Sequence, residues 1–485
     1  MSNATPPKQT LIRGAAWHIA MRWSIKGLGL ISTVVMARLL VPADYGVVAM
    51  AMLVVGLIQV FLDFSAGTAL LRKDEVSRDE VDSAWTLGVL QGALVALLLL
   101  VIAPFAALYF QEPKVQPVLW VFAVCVGFSS VGNIGFVLAQ KEFDFSLIFR
   151  HGVFCKVLGV VVTVVAGYYL RDYRALVIGV ATGYLSGLVL SYWMHPYRPR
   201  WNTTKIREIW ALTKWLMLAG VGGFVLRKGD ELIAARIGTT ADYGEYNIGA
   251  DLGLMPTGEV GPGLLKAFLP VLASIQNDVR RTNMAVVKAM SAVNTITMPM
   301  GLGLAAVALP ATLLVLGPAW LSAAQYVAAF ALAGTVQSMA SPLNTLLILR
   351  GYTRIQSFQV WCEFIVFAIA AVLLVPGHFL LGLVWARIIG SCSAFSLAVF
   401  SCHRTCGLSY ALPLRAIVRP LLGAVLMYFL ASAVVAYYAN STTGMFFAIV
   451  VSAVFYTTWS GISWLLLGRP EGLESTAVDY LQSRK

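Results

Sequence analysis

Between Ala289 and Leu349 the chain carries no charged residue, and the same holds from Ser83 to Gln111, from Val115 to Gln140 and from Pro420 to Gly468. A single soluble core stops growing at roughly 250–300 residues. This chain has 485 residues, 59% hydrophobic and 12% charged, where a soluble domain is about a quarter charged. Runs this long cannot all be hidden from water, so the composition excludes a secreted or cytosolic enzyme. Inside a bilayer only helices and closed barrels satisfy every backbone polar group. Ten-residue alternating strands are absent, which leaves an all-α membrane protein.

A spanning helix needs about 20 apolar residues. On that scale the sequence divides into fourteen predicted spans, at 14–40, 45–70, 81–109, 115–139, 144–170, 174–195, 207–238, 243–271, 283–310, 321–349, 353–376, 379–402, 414–438 and 445–467. The longest connection, from His195 to Ile206, is too short for a soluble domain. Met1 to Thr10 is polar and lacks the apolar core and cleavage site of a signal peptide, so the first span is expected to be retained. The six cysteines are too scattered for a disulfide framework. Cys402 and Cys406 flank His403 without the spacing of a zinc site, so no metal is expected.

Lys and Arg set orientation. Twenty of them fall on the side of the two termini, against Lys114, Arg171 and Arg174, with Arg38 and Arg236 at helix ends, on the other. Both termini are therefore expected in the cytoplasm, in a multi-pass protein of a bacterial inner membrane. The net charge of +12 is explained by this asymmetry and by contact with membrane lipids; it implies no nucleic acid.

The chain also repeats itself. Ala37-Arg38-Leu39-Leu40-Val41-Pro42-Ala43-Asp44-Tyr45-Gly46 matches Ala235-Arg236-Ile237-Gly238-Thr239-Thr240-Ala241-Asp242-Tyr243-Gly244 at six of ten positions, at an offset of 198, and Trp17 matches Trp215 at the same offset. The repeat motif is thus Arg38, Asp44 and Gly46 with Arg236, Asp242 and Gly244. The offset equals six spans. This predicts an N-terminal lobe (1–195, helices 1–6), a cytoplasmic linker (196–206), a C-terminal lobe (207–404, helices 7–12), and an added segment (405–485) with helices 13–14 and a cytoplasmic tail. Six intervening spans make the two lobes parallel, about an axis along the membrane normal, and a central cavity between such lobes is a transporter arrangement. Pro42 and Asp44 also read simply as a helix start, which is compatible with the repeat.

The run Met36 to Gly46 resembles the signature between the first two helices of polysaccharide flippases in the MOP exporter superfamily, and Arg13-Gly14-Ala15-Ala16-Trp17 resembles the family's opening. Similar to the family as well are Leu254-Met255-Pro256 and Phe268-Leu269-Pro270 ahead of Ser274-Ile275-Gln276-Asn277-Asp278, then Gly317-Pro318-Ala319-Trp320, Ser341-Pro342-Leu343-Asn344 and Arg350-Gly351. The resemblance runs to about residue 400; helices 13–14 carry no matching motif. It implies a Wzx-type, secondary-active exporter that moves undecaprenyl-diphosphate-linked oligosaccharide across the inner membrane, with no cofactor and no catalytic residues. A polymerase and a chain-length regulator of the same pathway are the implied protein partners. The alternatives are a multidrug or small-metabolite antiporter of the same superfamily and a membrane oligosaccharide polymerase or ligase. Fourteen spans speak against the first, and very short external loops against the second.

Ionisable residues inside a membrane are costly and mark function by default. His18, Arg22 and Lys26 fall at i, i+4 and i+8 on one face of the first helix. The seventh span carries Arg227, Lys228, Asp230 and Glu231. The functional reading makes Arg22, Lys26, Arg227 and Lys228 a cationic wall for a diphosphate; the bland one makes Arg227, Lys228 and Glu231 a self-neutralising knot at i, i+3 and i, i+4 spacing. Asp63, Asp230, Glu231 and Glu259 are the candidates for a coupling proton or sodium ion. Glu259 lies in Pro256-Thr257-Gly258-Glu259-Val260-Gly261-Pro262-Gly263, which is expected to break its helix; a pairing of Glu259 with a neighbouring helix is the alternative. Arg150, Lys156, Glu363 and Arg387 also sit within or near spans, and Gly179, Gly183 and Gly187 form a small-residue stripe for close packing.

Overall fold

The computed structural model describes residues 8–62, 70, 76–207, 224 and 227–466. It divides into two compact units, Met1–Gly244 and Glu245–Lys485. Every regular element among the described residues is helical. In chain order these are α1 (Lys8–Ala37), α2 (Pro42–Leu62), α3 (Arg78–Phe110), α4 (Val115–Ser130), α5 (Gly135–Lys141), α6 (Phe145–Leu170) and α7 (Arg174–Met194). A helical stretch over 227–237 follows. Then come α8 (Thr240–Ser274), α9 (Val279–Val315), a 3-10 turn (Pro318–Trp320), α10 (Ala323–Leu349), α11 (Thr353–Cys406), α12 (Ala411–Tyr437) and α13 (Thr442–Leu466).

The predicted spans coincide with these helices, the seventh being described only at 224 and 227–237. Among the described residues, eight helices are long and apolar enough to cross a membrane, or nine if the bent pair α4–α5 is one span. Two predicted spans share α11, which doubles back where Phe379 takes φ 50° and ψ −136°. Gln359 Nε2 then donates to the carbonyl of Leu397 and Ser391 Oγ to Glu363 Oε1, both across the resulting hairpin.

Helix starts are set by local chemistry. Ser77 Oγ accepts from Glu80 N while Glu80 Oε2 accepts from Ser77 N, a reciprocal box at the start of α3. Asp144 and Asp278 cap α6 and α9, accepting from the backbone N–H of Leu147 and Arg281. At 33 residues, α3 is about 50 Å long and overshoots the hydrocarbon layer.

In the first unit α6 and α7 pack closely. A side chain at Gly179 would collide with Thr163, and Gly159 faces the backbone of Gly179 and Gly183. The small-residue stripe thus works at Gly179, whereas a Cβ at Gly183 or Gly187 would meet open space.

Residues 195–206 form an ordered strap across the ends of α3 and α5. Asp82, 3% exposed, accepts from Tyr197 OH at 2.8 Å and from Arg200 N at 3.0 Å. Asn202 N donates to Thr86 Oγ1 and Asn202 Nδ2 to Asp79 Oδ1. Asn133 Nδ2 donates to the carbonyls of His195 and Tyr197. The Arg198 guanidinium donates to three carbonyls, of Tyr192, His195 and Tyr197, and so satisfies acceptors that the end of α7 leaves open. Burial, together with the hydrogen bond to Asp82, pushes the Tyr197 hydroxyl up to about 12.

In the second unit α8, α9 and α10 meet through small residues. Gly249 and Gly253 approach Tyr326, Val327 and Phe330, while Gly334 approaches Thr257. The Tyr246 ring, fully buried, lies edge-on to Tyr326 and Phe330. The expected break at 256–263 is absent: α8 is continuous through Pro256 and Pro262. Proline is tolerated in a membrane helix where neighbours and hydroxyl groups satisfy the freed backbone. Here Gly249 and Gly253 let α10 close against the helix, and Thr257 Oγ1 makes a local hydrogen bond to the Leu254 carbonyl. The two C-terminal helices belong to the same core. Tyr456 OH donates to the Thr295 carbonyl at 2.9 Å, Val307 clusters with Val435, Met445 and Ala448, and Trp459 fills the space at Gly423.

Candidate substrate site and repeated motif

The helix α1 lies along α6. The Trp17 and Phe149 rings meet at a tilt, with centroids 4.9 Å apart, Met21 and Ile25 face Gly152, and Lys156 Nζ reaches to 3.7 Å of the Cβ position at Gly29. Met21, Ile25 and Gly29 are four apart and form the packed stripe. Arg22 and Lys26 sit one position further round the helix and are exposed. Lys26 lies within electrostatic reach of Lys156. Three cations, Arg22, Lys26 and Lys156, are thereby gathered on one pair of helices.

Their depth follows from helix rise. Lys26 is eleven residues from the end of α1 at Ala37, about 16 Å along the axis. Lys156 is eleven residues from the start of α6 at Phe145, again about 16 Å. In a helix that crosses a hydrocarbon layer about 30 Å thick, a position that far from the end falls near the middle. Like charges gathered at that depth raise the local free energy and favour an anion.

The other predicted cations lie on the stretch 227–237. Lys228 Nζ is ion-paired with Glu231 Oε1, the i, i+3 pairing read from the sequence. Glu231 is 5% exposed and accepts a second, long hydrogen bond from Tyr243 OH. Asp230 is buried beside it, and Arg227 is exposed. Glu259 is half-buried on the unbroken α8. Asp63 and the side chain of His18 lie outside the described residues. Lys156 is the residue that sequence reasoning did not assign to the group. Its signal was present, an ionisable side chain amid an apolar run, but the pairing of α1 with α6 was not.

The two motif copies repeat in space as they do in sequence. Asp44 Oδ2 accepts from Val41 N at 3.3 Å, and Asp242 Oδ2 from Thr239 N at 3.0 Å. Tyr45 OH donates to the Thr33 carbonyl, and Tyr243 OH to the Glu231 carboxylate; positions 33 and 231 are again 198 apart. Arg38 and Arg236 are both exposed, and Arg236 lies over the Tyr109 ring at 5.8 Å.

Residues 35–325 match the family model described as polysaccharide biosynthesis protein. The chain is 22% identical over 346 residues to an uncharacterized membrane protein in the cps region of Klebsiella pneumoniae, covering 70% of this chain and 71% of that one. It is 22% identical over 363 residues to the lipopolysaccharide biosynthesis protein WzxC of Escherichia coli, covering 74% of each. Among solved structures, the lipid II flippase MurJ in an inward closed conformation superposes with a TM-score of 0.75 at 14% identity, covering 93% of this chain and 99% of that one. At that identity the likeness shows a shared fold.

Proposed function

The chain belongs to the polysaccharide biosynthesis protein family, and from that premise we propose that it is a secondary-active flippase rather than an enzyme. Its cargo is undecaprenyl-diphosphate-linked oligosaccharide, carried from the cytoplasmic to the periplasmic leaflet by alternating access. The observation that carries this reading is the pairing of Lys26 and Lys156 eleven residues from the ends of α1 and α6, with Arg22 one turn further along α1. Moving a bare diphosphate through hydrocarbon is prohibitive. Fixed cations along its path lower that cost while the lipid tail stays in the bilayer. Arg22 offers a bidentate fork to phosphate oxygens, and the two lysines offer point charges that follow the moving group.

In this reading Lys228 is committed to Glu231, so neutralising Lys228 acts on the carboxylate as much as on cargo. A buried, paired carboxylate such as Glu231 is suited to exchange a proton or sodium ion for its lysine, which makes Asp230 and Glu231 the foremost coupling candidates, with Asp63 and Glu259 behind them. The inner membrane, cytoplasmic termini, and a polymerase and chain-length regulator as partners complete the proposal.

Complementation of a host lacking its own copy tests it, with protein levels checked by blotting. Arg22→Ala and Lys156→Ala should abolish surface-polymer export, Arg22→Lys should be partly active, and Lys26→Ala should be milder. Normal export by both Arg22→Ala and Lys156→Ala would remove the site from the mechanism.

A further inference from the structure

We propose that Trp23 is the sugar platform of the cargo site: its indole face holds the pyranose next to the diphosphate and so sets which lipid-linked cargo binds. The inference rests on the flippase reading, and it assigns a residue to the part of the cargo that the cations do not recognise.

The placement follows from the geometry of α1. Successive residues of a helix are turned by about 100° and raised by about 1.5 Å. Met21, Ile25 and Gly29 make the stripe packed on α6. Going round the helix away from that stripe, Arg22 comes first, Lys26 about 40° further on, and Trp23 about 60° beyond Lys26. All three are exposed, Trp23 by 55%. In height Trp23 lies between the two cations, about 1.5 Å from Arg22 and about 4.5 Å from Lys26. There is room beside the indole: a side chain at Gly27, one turn along on the same side, would meet nothing within 4 Å.

Two features set Trp23 apart from an ordinary membrane tryptophan. Tryptophans of membrane helices gather at the two interfaces, where the ring stays apolar and the N–H wet. Trp193 and Trp201, 81% and 59% exposed, stand at the end of α7 and in the strap that follows, and they fit that pattern. Trp23 is fourteen residues from the end of α1 at Ala37 and fifteen from its start at Lys8, about 21–22 Å from either. Its neighbours are the second feature. Ionisable side chains of a membrane helix turn towards a water-filled path rather than acyl chains, and Trp23 shares their side of α1.

The cations hold phosphate by charge and hydrogen bonds and are indifferent to what is attached to it. A pyranose carries hydroxyls round its rim and C–H groups on its face. The rim keeps its water in a wet path, while the face gains by leaving water for an indole. The Trp23 ring turns about two bonds only, so holding it still costs little entropy. A diphosphate on Arg22 and Lys26 brings its attached sugar within a side chain's length of that ring. The class recognised is therefore a pyranose with an unbroken C–H face joined directly to the diphosphate.

The test compares two ligands on the purified full chain in lipid nanodiscs, undecaprenyl diphosphate and undecaprenyl-diphosphate-linked oligosaccharide, with the Kd of each read by native mass spectrometry. The wild type should bind the sugar-bearing lipid about tenfold more tightly, the gain from burying one apolar sugar face. Trp23→Leu and Trp23→Met, which keep apolar volume but lose the flat ring, should bring the two Kd values together. Trp23→Tyr should keep most of the difference, and Arg22→Ala should weaken both ligands alike. A preference that survives in Trp23→Leu or Trp23→Met overturns the platform, as does a wild type that binds both lipids equally; either result leaves the cargo assignment standing. A wild type that binds neither lipid overturns the platform and the cargo assignment together.

Discussion

His195 shows how one side chain ties the strap of residues 195–206 to the first unit. Its ring sits against Gly135, where any side chain would collide with it. Nδ1 accepts the backbone N–H of Tyr197 at 3.1 Å, which requires the neutral form at that nitrogen. Burial, with Arg198 nearby, holds the imidazole below its ordinary value of 6.5, against the opposite pull of Glu142 and Asp144. The folded value is depressed, so the stabilisation is present above about 6.5 and is lost as pH falls from there through the folded value, because the unfolded chain takes up the proton first. Melting temperature in detergent should therefore fall between pH 7.5 and 5 more steeply for the wild type than for His195→Gln. Parallel curves would show that His195 stays solvated and does not anchor the strap. Arg22 and Lys26 were legible at this scale because helical spacing alone puts them on one face. Lys156 was not, because its neighbourhood depends on which helix α1 chooses. The Lys228–Glu231 pair was legible, being three residues apart.

At the scale of elements, helix ends were legible where a side chain caps its own backbone, as at Ser77, Asp144 and Asp278. What the sequence concealed depends on distant partners. The continuity of α8 through Pro256 and Pro262 rests on close packing with α10. The order of the strap rests on Asp82, more than a hundred residues from Tyr197 and Arg200. The two C-terminal helices carry no recognisable motif, yet they supply Tyr456 to the Thr295 carbonyl and cover Val307 of α9. A chain ending at Tyr410 should leave this face of α9 bare, deprive it of several buried side chains worth about 1.5–3 kcal/mol each, and fail to accumulate as monodisperse protein in detergent. Wild-type yield and a sharp size-exclusion peak from that truncation would make the pair a dispensable addition.

For the whole molecule, uncharged runs and the distribution of Lys and Arg point to an all-α membrane protein, and a six-of-ten repeat points to two similar halves. The family match over residues 35–325 and the fold shared with a lipid II flippase agree with the all-α membrane fold. The central claim is that cations held by α1 and α6 carry a lipid-linked diphosphate across the bilayer. Purified protein in liposomes loaded with undecaprenyl-diphosphate-linked oligosaccharide tests it most directly, with transferred sugar read by an external lectin. The account predicts transfer by the wild type and baseline signal from Arg22→Ala and Lys156→Ala; transfer by both variants at the wild-type rate would contradict it.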